Sequence, residues 1–160
     1  MWCSRHGVMF FDDPGAAFVN LARALRPGGR LVALTWQPAG RNEWMSAFRT
    51  SLTGRSREEP TPTSPGPESL SDPVQVRDLL IGAGFTDVAL SGGRHPMWFG
   101  ADVDDALEFL SGQFQGGLAQ MAGPARSAAL ACLRATLADH ATAGGVRYDS
   151  ATWLITARRA

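Results

Sequence analysis

At 160 residues the chain has the length of about one domain, and a content that is 44% hydrophobic and 19% charged falls in the range of ordinary globular proteins with a core. Fifteen basic residues against fifteen acidic ones leave no net field to hold a phosphate backbone or an anionic bilayer surface, which argues against nucleic acid and membrane as partners. No apolar run approaches the roughly 20 residues that span a bilayer, the N-terminus does not read as a secretion signal, and Cys3 and Cys132 stand without a CxxC or CxxH neighbour, so a metal site is disfavoured and a cytoplasmic protein is expected.

Residues 1–11 (MWCSRHGVMFF) read as the end of a buried strand running into a loop. Asp13 is a helix N-cap, and Pro14 suits the first helical position because it has no amide hydrogen to lose there. Ala17, Phe18, Leu21 and Leu25 recur at helical spacing, and Arg26-Pro27-Gly28-Gly29 stops the helix. Residues 30–36 (RLVALTW) form a nearly continuous apolar run, expected of a strand covered on both faces. Strand, helix and strand together make a βαβ unit, right-handed by default.

Asn42 caps a short helix carrying Trp44, Met45 and Phe48. Residues 54–72 turn rich in Pro, Ser, Gly and charge and read as a flexible loop or lid. Asp72-Pro73 repeats the capping signature for a helix ended by Gly84, and Phe85–Leu90 reads as a strand. Residues 102–122 and 124–142 read as two helical segments, a helical insertion over 102–142. After Gly144-Gly145, Trp153 and Ile155 alternate with Thr152, Thr156 and Arg158 in a closing strand over roughly 146–158. The glycine pairs at 28, 92, 116 and 144 do not follow a strand and open a helix in the GxGxxG manner, and read as turns.

The order SRHGVMFFDDP, helix, then LARALRPGGRLVALTWQP resembles class I S-adenosylmethionine-dependent methyltransferases of the small-molecule type, with RALRPGGRL (Arg23 to Leu31) the most recognisable part. The helix ending in AGF (Ala83 to Phe85), the strand after it, the helical insertion and a last strand ending in WLITARR (Trp153 to Arg159) keep the family's order. The resemblance implies an α/β fold: a partial Rossmann-like sheet from a family order of 3-2-1-4-5-7-6, holding the end of strand 4 plus strands 5, 6 and 7, with the last strand antiparallel. On this reading residues 1–160 are the C-terminal part of one methyltransferase domain. The family's glycine-rich cofactor turn after strand 1 and the acidic residue ending strand 2 do not precede residue 1, which leaves two readings. One is methyl transfer to a small-molecule acceptor as a property of the complete domain, with this fragment inactive alone. The other is a non-catalytic binding or assembly module, completed by a partner chain or by self-association through an open sheet edge. An in-frame strand and glycine-rich turn encoded ahead of Met1 would separate them.

Ligands of open α/β sheets sit beyond the carboxyl ends of parallel strands. The resemblance therefore places Ser4, Arg5 and Gly7 against the methionine end of S-adenosylmethionine, with small residues for a tight loop as the alternative for Ser4 and Gly7. His6 is the candidate general base, a role that an ordinary imidazole permits near neutral pH, or else a loop histidine with a solvent or backbone partner. Phe10, Phe11, Trp36, Trp44 and Phe99 are candidate acceptor-binding residues, and a structural role accounts as well for Phe10, Phe11, Trp36 and Trp44. The pair Asp12 and Asp13 is explained by helix capping, and His140 by a cation near a helix C-terminus.

Overall fold

Asp13 Oδ1 accepts a hydrogen bond from the Ala16 amide at 2.9 Å, and Pro14 takes the first helical position beside it. Asp72 does the same ahead of Pro73, accepting from the Val74 amide at 2.8 Å. A computed structural model describes residues 1–54 and 65–160; residues 55–64, within the segment expected to be a lid, lie outside the described residues. The elements are β1 (Trp2–Arg5), α1 (Pro14–Ala24), β2 (Arg30–Trp36), α2 (Glu43–Thr53), α3 (Pro73–Gly82) and β3 (Phe85–Gly100). They continue with α4 (Val103–Gln113), α5 (Gln115–Ala119), α6 (Gly123–Asp139), β4 (Ala141–Thr142) and β5 (Gly145–Arg159).

The sheet runs in the order β1-β2-β5-β3, with β4 pairing β5. β1 and β2 are parallel, and β5 lies antiparallel to β2 with Arg30 opposite Arg158 and Trp36 opposite Thr152. This is the 4-5-7-6 portion of the expected sheet, with the last strand antiparallel as expected. The described chain divides into two compact units.

The first unit holds residues 1–41, 65–94 and 151–160, and so contains β1, α1, β2 and α3 together with Phe85–Arg94 of β3 and Ala151–Arg159 of β5. Helices α1 and α3 pack on each other. Phe18 and Ala22 of α1, Leu31 and Ala33 of β2, Val76 and Leu80 of α3, and Ile155 and Ala157 of β5 are buried. The turn after α1 is tied to the last strand, because the Gly28 amide donates to Arg159 O (3.0 Å) and the Arg159 amide to Gly29 O (2.8 Å). Gly28 has φ +71°, a left-handed geometry that glycine adopts without strain.

Two expectations for this unit need correction. No residue of β1 is buried: Trp2 and Ser4 are half-buried and Cys3 and Arg5 exposed, since the described sheet gives β1 a neighbour on one side only. Along β2, Leu31, Ala33 and Thr35 are buried whereas Val32 and Leu34 are only half-buried, so the second face is covered in part.

The second unit holds α2, α4, α5, α6 and β4 with His95–Gly100 of β3 and Gly145–Ser150 of β5. Helix α6 packs against both α2 and α4. Its core gathers Phe48 and Leu52 of α2, Phe99 of β3, Ala106 and Leu110 of α4, Leu133 and Leu137 of α6, and Val146 and Tyr148 of β5. Here too the segmentation differs from expectation. Strand β3 does not stop at Leu90 but continues through Gly92-Gly93 to Gly100, so His95, Trp98 and Phe99 lie within the strand and not after it. The 102–142 stretch is three helices followed by a two-residue strand that pairs Ala141 with Val146. Gly116 and Gly117 belong to α5, so of the four glycine pairs those at 28 and 144 alone lie outside helix and strand interiors.

Candidate functional site

The carboxyl ends of the parallel pair β1 and β2 bring together the loop after β1 and the last residue of β2. The register sets Arg5 opposite Leu34, and the next amide, His6 N, donates to Leu34 O at 2.9 Å. At that point the backbone of His6 turns left-handed, φ +59°, a geometry that costs a residue with a Cβ about 1–2 kcal/mol. The turn lays the imidazole flat on Trp36, with ring centroids 4.0 Å apart and planes within 13°.

The ring is half-buried, and its Nδ1 is closed off from solvent with no hydrogen-bond partner among the described residues. An orphaned buried polar atom of this kind costs about 1–3 kcal/mol, and folded proteins carry few of them. Burial, and secondly the charge of Arg5, push the His6 pKa below its ordinary 6.5 and hold the ring neutral.

Around this pair the loop is built closely. A Cβ on Gly7 would stand 3.2 Å from Ser4 Oγ, so the serine side chain folds back against the glycine. Arg5 and Gly7 are exposed. Phe10 is 56% exposed, whereas Phe11 packs edge-on against Phe18 of α1 at 6.3 Å. Phe11 is thus held in the packing of α1, and Phe10 presents its ring to solvent. Trp36 is buried beneath His6.

Residues 65–72 cross the same end of the first unit and are fastened there. Met9 O accepts from the Gly66 amide (2.9 Å) and from Ser69 Oγ (2.6 Å). Glu68 Oε1 accepts from the Ala39 amide at 2.9 Å. Thr35 Oγ1 donates to Leu70 O at 3.4 Å, and Trp153 Nε1 to Ser71 O at 2.8 Å. Beside them the buried Gln37 donates through Nε2 to Thr152 O and accepts at Oε1 from Arg41, both at 2.8 Å. A Cβ on Gly92 would stand 3.0 Å from that Nε2 and 3.2 Å from the Trp153 ring, so the glycine in mid-strand lets β3 approach closely. Glu68 carries no periodic or motif signal, and Gly92 reads as a turn from sequence; the place of both follows from long-range contacts.

Seven of the nine candidate residues, Ser4, Arg5, His6, Gly7, Phe10, Phe11 and Trp36, therefore lie at or beside the carboxyl ends of β1 and β2 in the first unit. Trp44 and Phe99 belong to the second unit. Phe99 is 4% exposed and meets Phe48 edge-on at 5.0 Å and Tyr148 at 5.5 Å, while the half-buried Trp44 leans on Phe48 and Phe99 at 6.1 and 6.0 Å. These contacts are those of an aromatic core. Asp13 is engaged in its cap, and among the described residues no group of three or more His, Cys, Asp or Glu side chains is placed to hold a metal ion. No described helix is long and apolar enough to cross a membrane.

No family model matches the chain, and no curated protein matches its sequence. Solved structures do match its fold. Over 98% of its length the chain is similar to a Bacillus halodurans C-125 protein described as a candidate methyltransferase, at 13% identity and a TM-score of 0.50, and it covers 67% of that protein. It is similar over 98% of its length to the YcgJ protein of Bacillus subtilis, at 14% identity and a TM-score of 0.51, and covers 62% of that chain. The chain thus spans about two thirds of the length of these neighbours. At such identity the likeness is one of fold, and with the strand order it makes this a methyltransferase-like α/β fold.

Proposed function

We propose that the chain is the C-terminal part of an S-adenosylmethionine-dependent methyltransferase domain acting on a small-molecule acceptor, and that the activity belongs to the complete domain. The observation that carries this reading is the loop after β1. In a sheet of methyltransferase order it puts a small hydroxyl, a guanidinium, a neutral imidazole and a glycine at the carboxyl ends of the parallel strands, where such sheets bind ligands. The orphaned Nδ1 of His6 fits a ligand-facing loop.

The fit extends to the methionine end of the cofactor, where Ser4, Arg5 and Gly7 would border it. The GxGxxG turn that would hold the adenosine end is not in the sequence. When bound, the cofactor supplies an already activated methyl group, so the protein's share is to position the acceptor and manage a proton. In this reading Trp36 gives the stacked floor under His6 and Phe10 supplies an apolar edge. The neutral His6 can take a proton from the acceptor. The reading locates the protein in the cytoplasm, with neither nucleic acid nor membrane as partner.

Titration calorimetry of S-adenosylhomocysteine into the full chain tests this reading. Saturable binding that weakens about 10-fold in Arg5→Ala, as loss of one charge-assisted contact predicts, supports it. The absence of binding both to this chain and to one extended by its upstream coding sequence would refute it.

A second reading rests on β1 itself. It is an edge strand of the described sheet with exposed residues, and an edge of this kind pairs with another strand. We infer from it an assembly role, in which a partner chain or a second copy pairs along β1. Sedimentation showing a monomer at every accessible concentration, alone and in cell extract, counts against that role.

A further inference from the structure

We infer that His6 Nδ1 is the point at which the site selects its acceptor, so that the substrate class is compounds carrying a hydroxyl or amine donor, and not their carbon-only isosteres. The inference rests on the methyl-transfer reading for the word acceptor, but its physical content concerns binding alone.

Two independent constraints aim this atom, and a third observation leaves it unpaired. The left-handed backbone at His6, held by the amide bond to Leu34 O, fixes where the side chain leaves the main chain. The stack on Trp36 fixes the ring plane. The lack of a partner for Nδ1 among the described residues leaves one hydrogen-bonding position unused on a ring that is otherwise placed. The ring as a whole is half-buried.

A neutral imidazole offers one bare nitrogen and one N–H. The inference assigns Nδ1 as the bare nitrogen, with the proton on Nε2, so its complement is a donor. Burial and the neighbouring guanidinium of Arg5 keep the ring in this neutral form. A site built to bond a donor rejects an analogue lacking it more strongly than an apolar pocket rejects an extra group, because the analogue leaves the buried nitrogen unpaired.

Phenol and toluene, nearly the same shape, are the probes, titrated into the full chain by protein-observed NMR with the His6 ring nitrogens labelled. Toluene is the more apolar, so hydrophobicity alone favours it. The expected result is that phenol binds about 10-fold more tightly, equivalent to about 1.4 kcal/mol, and moves the Nδ1 signal, while His6→Phe, which keeps a ring on Trp36, binds the two alike. Equal binding of both probes to the unaltered chain, binding of neither, or a proton found on Nδ1 overturns the inference without recourse to any variant. The cofactor reading fails separately: a chain that prefers phenol but does not bind S-adenosylhomocysteine upholds this inference and removes that one, and the opposite pair of results does the reverse.

Discussion

The His140 imidazole lies flat on the Tyr148 phenol, ring centroids 3.8 Å apart and planes within 14°. Both side chains also converge on one atom, Thr136 O, which accepts from His140 Nδ1 at 2.8 Å and from the Tyr148 hydroxyl at 2.7 Å. The His140 amide turns instead to Leu137 O, leaving the Thr136 carbonyl among those at the end of α6 that need a donor from outside the helix ladder. His140 Nε2 reaches Glu43 Oε1 at 3.1 Å, so the same ring joins the end of α6 to the start of α2. The cation expected near this helix end is thus a side-chain cap.

His140→Ala removes the stack and the two ring bonds together. It is expected to destabilise the fold by about 0.5–1.5 kcal/mol, the range for hydrogen bonds that are only partly buried, whereas His140→Phe, which restores the stack alone, falls between. Urea unfolding with an unchanged m-value is the measurement, and a loss under about 0.5 kcal/mol in the alanine variant would contradict the capping role.

Tyr148 is the one tyrosine in the chain, so its phenolate absorbance reports a single group. Burial raises its pKa above the ordinary 10.0, opposed by the bond to Thr136 and aided by the charges of Glu43 and Asp139. A raised folded-state pKa means the folded chain keeps a proton that the unfolded chain gives up. The associated stability is complete below pH 10.0 and is lost as pH rises through the higher folded value. Tyr148→Phe abolishes that alkaline slope. A phenol titrating at or below its free value in the folded protein contradicts the prediction.

His6 behaves in the opposite sense. Its pKa is lowered, so the folded chain disfavours a proton that the unfolded chain accepts near 6.5. The contribution is present above pH 6.5 and fades as pH falls through the depressed value. NMR of the ring protons is expected to show the His6 midpoint below 6.5, moving upward in Arg5→Ala once the neighbouring charge is gone. A midpoint unmoved by that substitution removes Arg5 as a cause.

Gly100 and Gly145 are close-contact positions in the second unit. A Cβ on Gly100 would stand 2.5 Å from the Ala106 amide nitrogen, and one on Gly145, at φ +97°, would stand 2.5 Å from both Gly100 O and Trp98 Nε1. Backbone cannot yield as a flexible side chain can. Alanine at either position is expected to cost about 2 kcal/mol or more, whereas Gly116→Ala, in open space on α5, is neutral or stabilising by up to about 1 kcal/mol. Thermal unfolding of the three variants compares them directly.

What could be read along the chain was what local chemistry decides. Asp13-Pro14 and Asp72-Pro73 announce their helices because capping needs only neighbours in sequence, and the apolar run 30–36 announces β2. The strand order followed from the family resemblance and holds. The full length of β3 was hidden because Gly92, Gly93 and Pro96 are residues that interrupt strands in isolation; pairing alongside β5 overrides that preference. His6 and Trp36 were each readable as site residues, but not their stack, which exists only because the β1–β2 register sets Arg5 against Leu34. Phe99 reads from sequence as a candidate acceptor-binding residue, and its edge-on contacts with Phe48 and Tyr148 come from elements far apart in the chain.

The fastening of residues 65–72 relies on few side chains of that stretch. Leu70 and Ser71 contribute carbonyls and Gly66 an amide, while Ser69 and Glu68 hold on through side-chain hydrogen bonds and Leu70 through a buried side chain. Evolution can therefore rewrite much of the outward-facing chemistry of this stretch without loosening it, so that the surface at this end of the sheet can drift while its anchoring stays put.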